Sequence, residues 1–194
     1  MAVKCDIRLA WWISLANLHH DELSTVVDVE TGNPGFVTKV RKLAGQPPPA
    51  VEALLNPGPG LEDAFSALVN QPDGCLWKLA GVADSILSRL CELQESGKLP
   101  QAMSILDWSD FVAPINLDIS SDGKVVQAHR PDPLANDLLT LIQGRNIASF
   151  GRCPVCARLF ERRRRDQQCD SRACRDVERQ RRFRRRHRNK SFGF

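Results

Sequence analysis

The sequence predicts a mainly α-helical protein with a small β-hairpin, ending in a treble-clef-like or ribbon-like zinc finger that carries an arginine-rich helix. Three observations predict this class. Apolar residues recur at three- and four-residue spacing through residues 76–95, and clusters of glycine and proline cut the rest of the first 150 residues into short helical pieces. Four cysteines, Cys153, Cys156, Cys169 and Cys174, form a C-x2-C-x12-C-x4-C array, two tight pairs of the kind that close a thiolate tetrahedron around zinc. The charge is also split: residues 152–194 hold 16 Lys+Arg against 5 Asp+Glu, whereas residues 1–151 hold 11 against 18. With 194 residues, 42% of them hydrophobic, the chain has room for one domain with its own core plus an appendage too small and polar to fold without a staple. The expected organisation is a mostly helical domain over 1–148, the finger and basic helix over 149–190, and a tail over 191–194.

Taken in order, the apolar run Leu9–Leu18 follows Lys4 and Arg8. It is too short to span a bilayer, is interrupted by Ser14 and Asn17, and lacks a small-residue cleavage site, so it reads as a cytoplasmic helix or strand rather than a signal or membrane segment. His19 and His20 beside Asp21 and Glu22 read as a polar loop after it. Breakers follow at Gly32–Gly35, Gln46–Pro49, Asn56–Gly60 and Gln71–Gly74. The longest helix is expected over Leu76–Glu95, with Leu76, Leu79, Ala80, Ala83, Ile86, Leu87, Leu90 and Leu93 on one stripe opposite Lys78, Asp84, Ser88 and Glu92. Gly97 ends it. Ile115–Ile119 and Val125–Ala128, separated by a polar turn with Asp122-Gly123, read as a β-hairpin. Pro133–Gln143 reads as a helix capped by Asp132, with Leu134, Leu138, Leu141 and Ile142 as its packing face. Gly144 and Gly151 bracket the connection to the cysteines.

An odd count of seven cysteines and no export signal point to a reducing, cytoplasmic compartment, with thiolates serving as ligands rather than as disulfides. Cys5, Cys75 and Cys91 have no partner at ligand spacing and read as small core residues. Cys153-Pro154-Val155-Cys156 forms a knuckle, a tight turn whose amides can point at metal-bound sulfur. Arg158–Arg163, around Leu159 and Phe160, leaves it as a strand. With Asp170 or Ser171 as N-cap, Cys174 falls in the first turn of a helix, where the positive end of the macrodipole favours thiolate. Four cysteine ligands leave no open position on the metal. There is also no phosphate-binding glycine loop, nucleophile elbow or H-E-x-x-H motif, and His129 and His187 are isolated, so an enzyme is not expected.

After Val177 the only large apolar side chain before Phe192 is Phe183, so the C-terminal helix has no apolar stripe by which to pack. Arg175, Arg179, Arg182 and Arg186 share one side, and Arg181, Arg185 and Arg188 an adjacent one. A helix over 175–190 would be about 24 Å long at roughly 1.5 Å per residue, enough to follow a groove and meet several phosphates. Arg162, Arg163, Arg164 and Arg165 lie on the same finger and are expected to grip phosphate beside it. The expected ligand is nucleic acid, DNA favoured over RNA, while Gln180 and Asn189 alone are placed for base readout. An RNA-binding or ribosome-associated protein is the nearest alternative, and an adaptor that recruits an acidic protein comes next. No membrane partner is expected. The helical domain leaves room for a homodimer contact and a small-molecule effector.

Cys153-Pro154-Val155-Cys156, the following Leu159-Phe160, the Cys169-to-Cys174 spacing and the arginine-rich helix resemble the bacterial CGNR-type zinc fingers. In that family the finger follows a mostly helical domain of the type called ABATE, and the order hairpin, helix, finger is similar here. The resemblance implies a transcriptional regulator that holds Zn2+ on the four cysteines. The family's Gly-Asn-Arg after the last cysteine is replaced by Arg175-Asp176-Val177, so only the ligand framework carries over.

Overall fold

Asp6 opens the first helix by accepting from the backbone N–H groups of Arg8 and Leu9 at 3.0 and 3.4 Å, which satisfies donors that the first turn leaves open. In the computed structural model, which describes residues 6–23, 33–55, 72–97, 102–105, 115–129, 133–164, 167, 169 and 171–191, helix α1 runs over Ile7–Glu22. It buries Leu9, Trp11, Trp12, Ile13, Leu15 and Ala16, positions that cover a little over half of its circumference. A helix with so wide a buried arc packs against more than one neighbour. Of the two readings of Leu9–Leu18, helix is therefore the outcome. Contrary to the expected loop, His19 and His20 form the last turn of α1, because the helix continues to Glu22.

Two short helices, α2 over Phe36–Val40 and α3 over Pro49–Leu55, lead to the long helix α4, Pro72–Ser96. The cluster Gln71–Gly74 does not break the chain as expected. Pro72, Asp73 and Gly74 belong to the first turn of α4, where a missing N–H costs nothing and the fixed φ of proline suits the helix. All eight residues of the expected stripe are buried, and so are Trp77, Val82 and Cys91. The buried surface is broader than one stripe because α1, α2 and later elements cover α4 from several sides. The α1–α4 pairing is the most extensive in the fold. Trp77 touches two of these neighbours, meeting Phe36 of α2 edge-on at 5.2 Å and the ring of His19 of α1 at 4.5 Å. His19 Nδ1 in turn lies 3.2 Å from Asp84 Oδ2, and the Ser88 hydroxyl donates to the other oxygen of Asp84 at 2.9 Å.

Strands β1 (Ala102–Ile105), β2 (Ile115–Ile119) and β3 (Val125–His129) form one antiparallel sheet in that order. The expected hairpin is β2–β3. The third strand has no counterpart in the sequence reading: Ala-Met-Ser-Ile is too short a run to be recognised until β2 supplies its partner, from Ala102 opposite Asp118 to Ile105 opposite Ile115. Leu117, Ile119 and Val125 are buried, whereas Asp118 and Val126 face outward, the alternation of a sheet with one wet face.

Helix α5, Pro133–Ile142, buries Leu138, Leu139, Leu141 and Ile142. Its Asp137 accepts from the Trp12 indole N–H at 2.9 Å and from Arg8 at 3.2 Å, which ties α5 to α1. The cap assigned to Asp132 and the breaker Asn56–Gly60 lie outside the described residues. Beyond α5 the chain runs alongside β3. The Gly144 amide donates to Val125 O at 2.7 Å, the Val125 amide to Arg145 O at 2.9 Å, and the Ile147 amide to Gly123 O at 2.8 Å. The hairpin thereby fixes where the cysteine-bearing segment begins.

One core cluster extends from α1 and α4 through the sheet and α5 to Phe150 and Leu159, and a second, small one holds Cys153, Phe160 and Cys169. Cys91 is 1% exposed in the main cluster, as the core role expected of it requires, whereas Cys75 is only half-buried and stands outside that cluster; Cys5 lies outside the described residues. Close approach at one edge of the core depends on Gly45, whose φ is 109° and whose missing Cβ would sit 2.7 Å from Ile7 O and 2.9 Å from Trp11 Cβ. Gly45→Ala is expected to lower stability by upwards of about 1 kcal/mol, through left-handed strain and displacement of α1. Urea unfolding followed by tryptophan fluorescence measures this, and an unchanged midpoint would contradict it.

Candidate metal centre

Facing residues of an antiparallel pair project on the same side of the sheet. Strands β4 (Phe150–Arg152) and β5 (Leu159–Glu161) pair Phe150 with Glu161, Gly151 with Phe160 and Arg152 with Leu159. The pleat therefore sends Phe150 and Leu159 into the main core and Phe160 to the cysteine cluster. Gly151 stands opposite Phe160 for a steric reason. A Cβ there would lie 2.9 Å from the phenyl Cζ and 2.6 Å from Arg162 Nε.

Between the strands the chain makes the knuckle. The Cys153 amide donates to Arg158 O and the Ala157 amide to Cys153 O, both at 2.9 Å, while the Val155 amide points at Cys153 Sγ at 3.4 Å. Ala157 has φ 59°, the one non-glycine positive φ among the described residues. Left-handed backbone at a residue with a Cβ costs roughly 1–2 kcal/mol, and it lies where the chain turns from the knuckle so that Arg158 O can accept from the Cys153 amide.

The second pair is placed by a helix. Helix α6 runs over Arg172–Ser191, beginning directly after Ser171, one of the two expected caps, and Cys174 lies in its first turn as predicted. Ser171 precedes it and donates its amide to Cys169, while the other cap candidate, Asp170, lies outside the described residues.

The Sγ atoms of Cys153, Cys156, Cys169 and Cys174 all lie within 4.8 Å of one another, and none of these cysteines is in a disulfide. Sulfurs of a tetrahedral site with bonds of ~2.3 Å stand ~3.8 Å apart, so the group can hold a metal ion with small adjustments. The clustered thiols perturb one another. Burial pushes the Cys169 thiol up to about 12, its hydrogen bond with Cys153 adding to this, and burial also raises Cys156. Burial acts on Cys153 too, but hydrogen bonds from the Cys169 thiol and from the amides of Cys156 and Val155 outweigh it and hold Cys153 below the usual thiol range. Cys153 and Cys169 are 2% exposed, Cys174 is half-buried and Cys156 is exposed at the rim.

The centre is joined to the helical core by polar contacts that the motif does not announce. Asn17 on α1 binds both backbone groups of Leu159, donating to its oxygen at 2.9 Å and accepting from its amide at 2.7 Å, as a neighbouring strand would. Arg145 joins Glu161 to Asp6, at 3.3 Å from the latter, and Arg158 pairs with Asp21. Burial raises the Glu161 carboxyl above its usual range, and Arg145 pulls it back in part. A lone asparagine in an apolar helix is the only hint of this docking in the sequence.

The basic residues separate into two groups. Arg162 turns inward, against the expectation that it grips phosphate: its guanidinium covers Gly151 and donates to Gln94 at 3.1 Å, and its Nε is buried. Arg163 and Arg164 are exposed on the following turn, and Arg165 lies outside the described residues. On α6, Arg175, Arg179, Arg181 and Arg182 are exposed, and so are Arg172 and Arg184, which lie outside the two expected rows. Arg185, Arg186 and Arg188 lie within the helix, with side chains outside the description. Arg181 reaches back to Pro154 O at 3.5 Å, and Arg182 pairs with Glu178 at 3.1 Å. Gln180 is exposed.

Cys169→Ser, or a strong chelator, is expected to remove bound metal and melt the knuckle and α6, while Trp11, Trp12 and Trp77 keep their native fluorescence in the main core. Elemental analysis with far-UV circular dichroism tests this; full helix content without metal would refute it. Cys91, which burial pushes up to about 12, should stay unlabelled by a thiol reagent at neutral pH until the protein unfolds. Labelling of native protein at the rate of an exposed thiol would contradict its placement.

Comparison of the chain with protein-family models, with curated proteins and with solved structures finds no match. What the geometry establishes by itself is a mainly helical protein with four cysteines gathered at the root of a basic helix, in a form that can hold a metal ion.

Proposed function

We propose that this is a zinc-stapled nucleic-acid-binding protein, a DNA-binding transcriptional regulator with no catalytic activity of its own. The observation that carries the reading is the exposure of Arg172, Arg175, Arg179, Arg181, Arg182 and Arg184 along one helix that starts at the cysteine cluster. Twenty residues at ~1.5 Å each make it about 30 Å long. Positive charge on a rod of that length, next to a body of opposite net charge, favours a polyanion and directs it to the rod. Zinc is the metal that suits four thiolates in a closed structural set. It would fix the orientation of the rod relative to α1 and α4.

The resemblance to CGNR-type fingers behind an ABATE-like domain supports the same reading through its ligand framework. A cytoplasmic location agrees with free thiols and with the absence, among the described residues, of any helix long and apolar enough to cross a membrane. The helical domain is the place for assembly or effector binding.

Affinity for a duplex should fall with salt with a log-log slope of about −5 or steeper if about six phosphates are met. Arg179→Gln with Arg182→Gln should flatten the slope by about 2. Fluorescence anisotropy over a salt series measures both, and a flat response would end the proposal. Structured RNA as competitor decides between the nucleic acids.

A further inference from the structure

Phe183 is the most exposed large apolar side chain among the described residues, at 62%, and it sits within the arginine-rich helix α6. It follows Cys174 by nine residues, which at ~3.6 residues per turn is two and a half turns. Phe183 therefore faces away from the cysteine cluster and from the knuckle, so it is not part of the small core that holds the finger. Exposed arginines surround it: Arg179 one turn before, Arg182 and Arg184 on either side, and in the sequence Arg186 nearly one turn after.

We propose that Phe183 is a specificity-determining residue that contacts thymine methyl groups on the floor of the DNA major groove. The inference rests on the DNA reading above and assigns the base contact within it. The major groove admits an α-helix, whereas the minor groove is about half as wide. With flanking arginines reaching the phosphate walls, the side chain between them meets the base edges. Those edges present hydrogen-bonding groups, which a phenyl ring cannot satisfy, and one apolar group, the C5 methyl of thymine. Insertion of the ring between bases is the less suitable alternative, because apolar wedges enter from the minor groove.

The test uses the full chain and two probes, an A·T-rich duplex and the same duplex with every thymine replaced by deoxyuridine, which removes the methyl groups and nothing else. The native protein should bind the thymine duplex roughly three- to fivefold more tightly for each methyl covered. Phe183→Ala should bind both duplexes alike, near the affinity of the native protein for the deoxyuridine duplex, and Phe183→Leu should keep part of the preference. Phe183 belongs to neither core cluster, and circular dichroism checks that its replacement retains helix content. Equal binding of both duplexes by native protein overturns the inference while leaving DNA binding standing. A preference that survives in Phe183→Ala overturns it as well. Failure to bind either duplex overturns the DNA reading and this inference together.

Discussion

The pleat of a two-stranded ribbon organises the C-terminal part of this protein. Three residues on each strand, β4 and β5, serve two cores at once: Phe150 and Leu159 belong to the helical body, and Phe160 belongs to the cysteine cluster. The period of two that governs side-chain direction in a strand makes this possible, and a slip of one residue would exchange the two sets. Gly151 admits the Phe160 ring and the Arg162 guanidinium, and Asn17 occupies both backbone groups of Leu159. The finger is therefore built onto α1 and α4 directly, with its ribbon as the shared layer.

That arrangement bears on how a helix such as α6 can exist. Its side chains over 172–184 are mostly charged and exposed, so tertiary packing contributes little to this stretch beyond its first turn. Helix formation carries a costly nucleus, which the Arg182–Glu178 pair, the more distant Arg179–Asp176 pair and the contact of Arg181 with Pro154 O offset in part. Exposed pairs of this kind contribute a few tenths of a kcal/mol each. A metal held through Cys174 would anchor the nucleus, and a polyanion would neutralise the remaining repulsion. Stability and the proposed binding would then have the same physical origin, which is why the staple stands at the root of the rod rather than within it.

Several features were legible because their signals are local. The stripe of α4, the hairpin β2–β3, the knuckle and the position of Cys174 follow from spacing and turn chemistry within a few residues. The third strand was not legible, because Ala102–Ile105 becomes a strand through its pairing with β2. Arg162 illustrates the same limit in the candidate site. In the sequence it is one of four successive arginines; in the fold it follows Phe160 by two residues and lies against the cluster side of the ribbon beside Gly151, where its Nε is buried. His19 likewise looks like one of a polar pair, yet it closes α1 against Trp77 and Asp84.

The sequence by itself determined the class of the fold, the four ligand candidates and the end of the molecule that carries positive charge, since each depends on residue type and short-range spacing. Only the tertiary structure decided that the four sulfurs converge within 4.8 Å, that the ribbon beneath them is shared with the helical core, and which arginines point outward. The physical reason is that ligand identity and charge are properties of single residues. Burial, convergence and orientation depend on which distant elements pack together, and here that packing runs through one pleated ribbon and the asparagine that holds its edge.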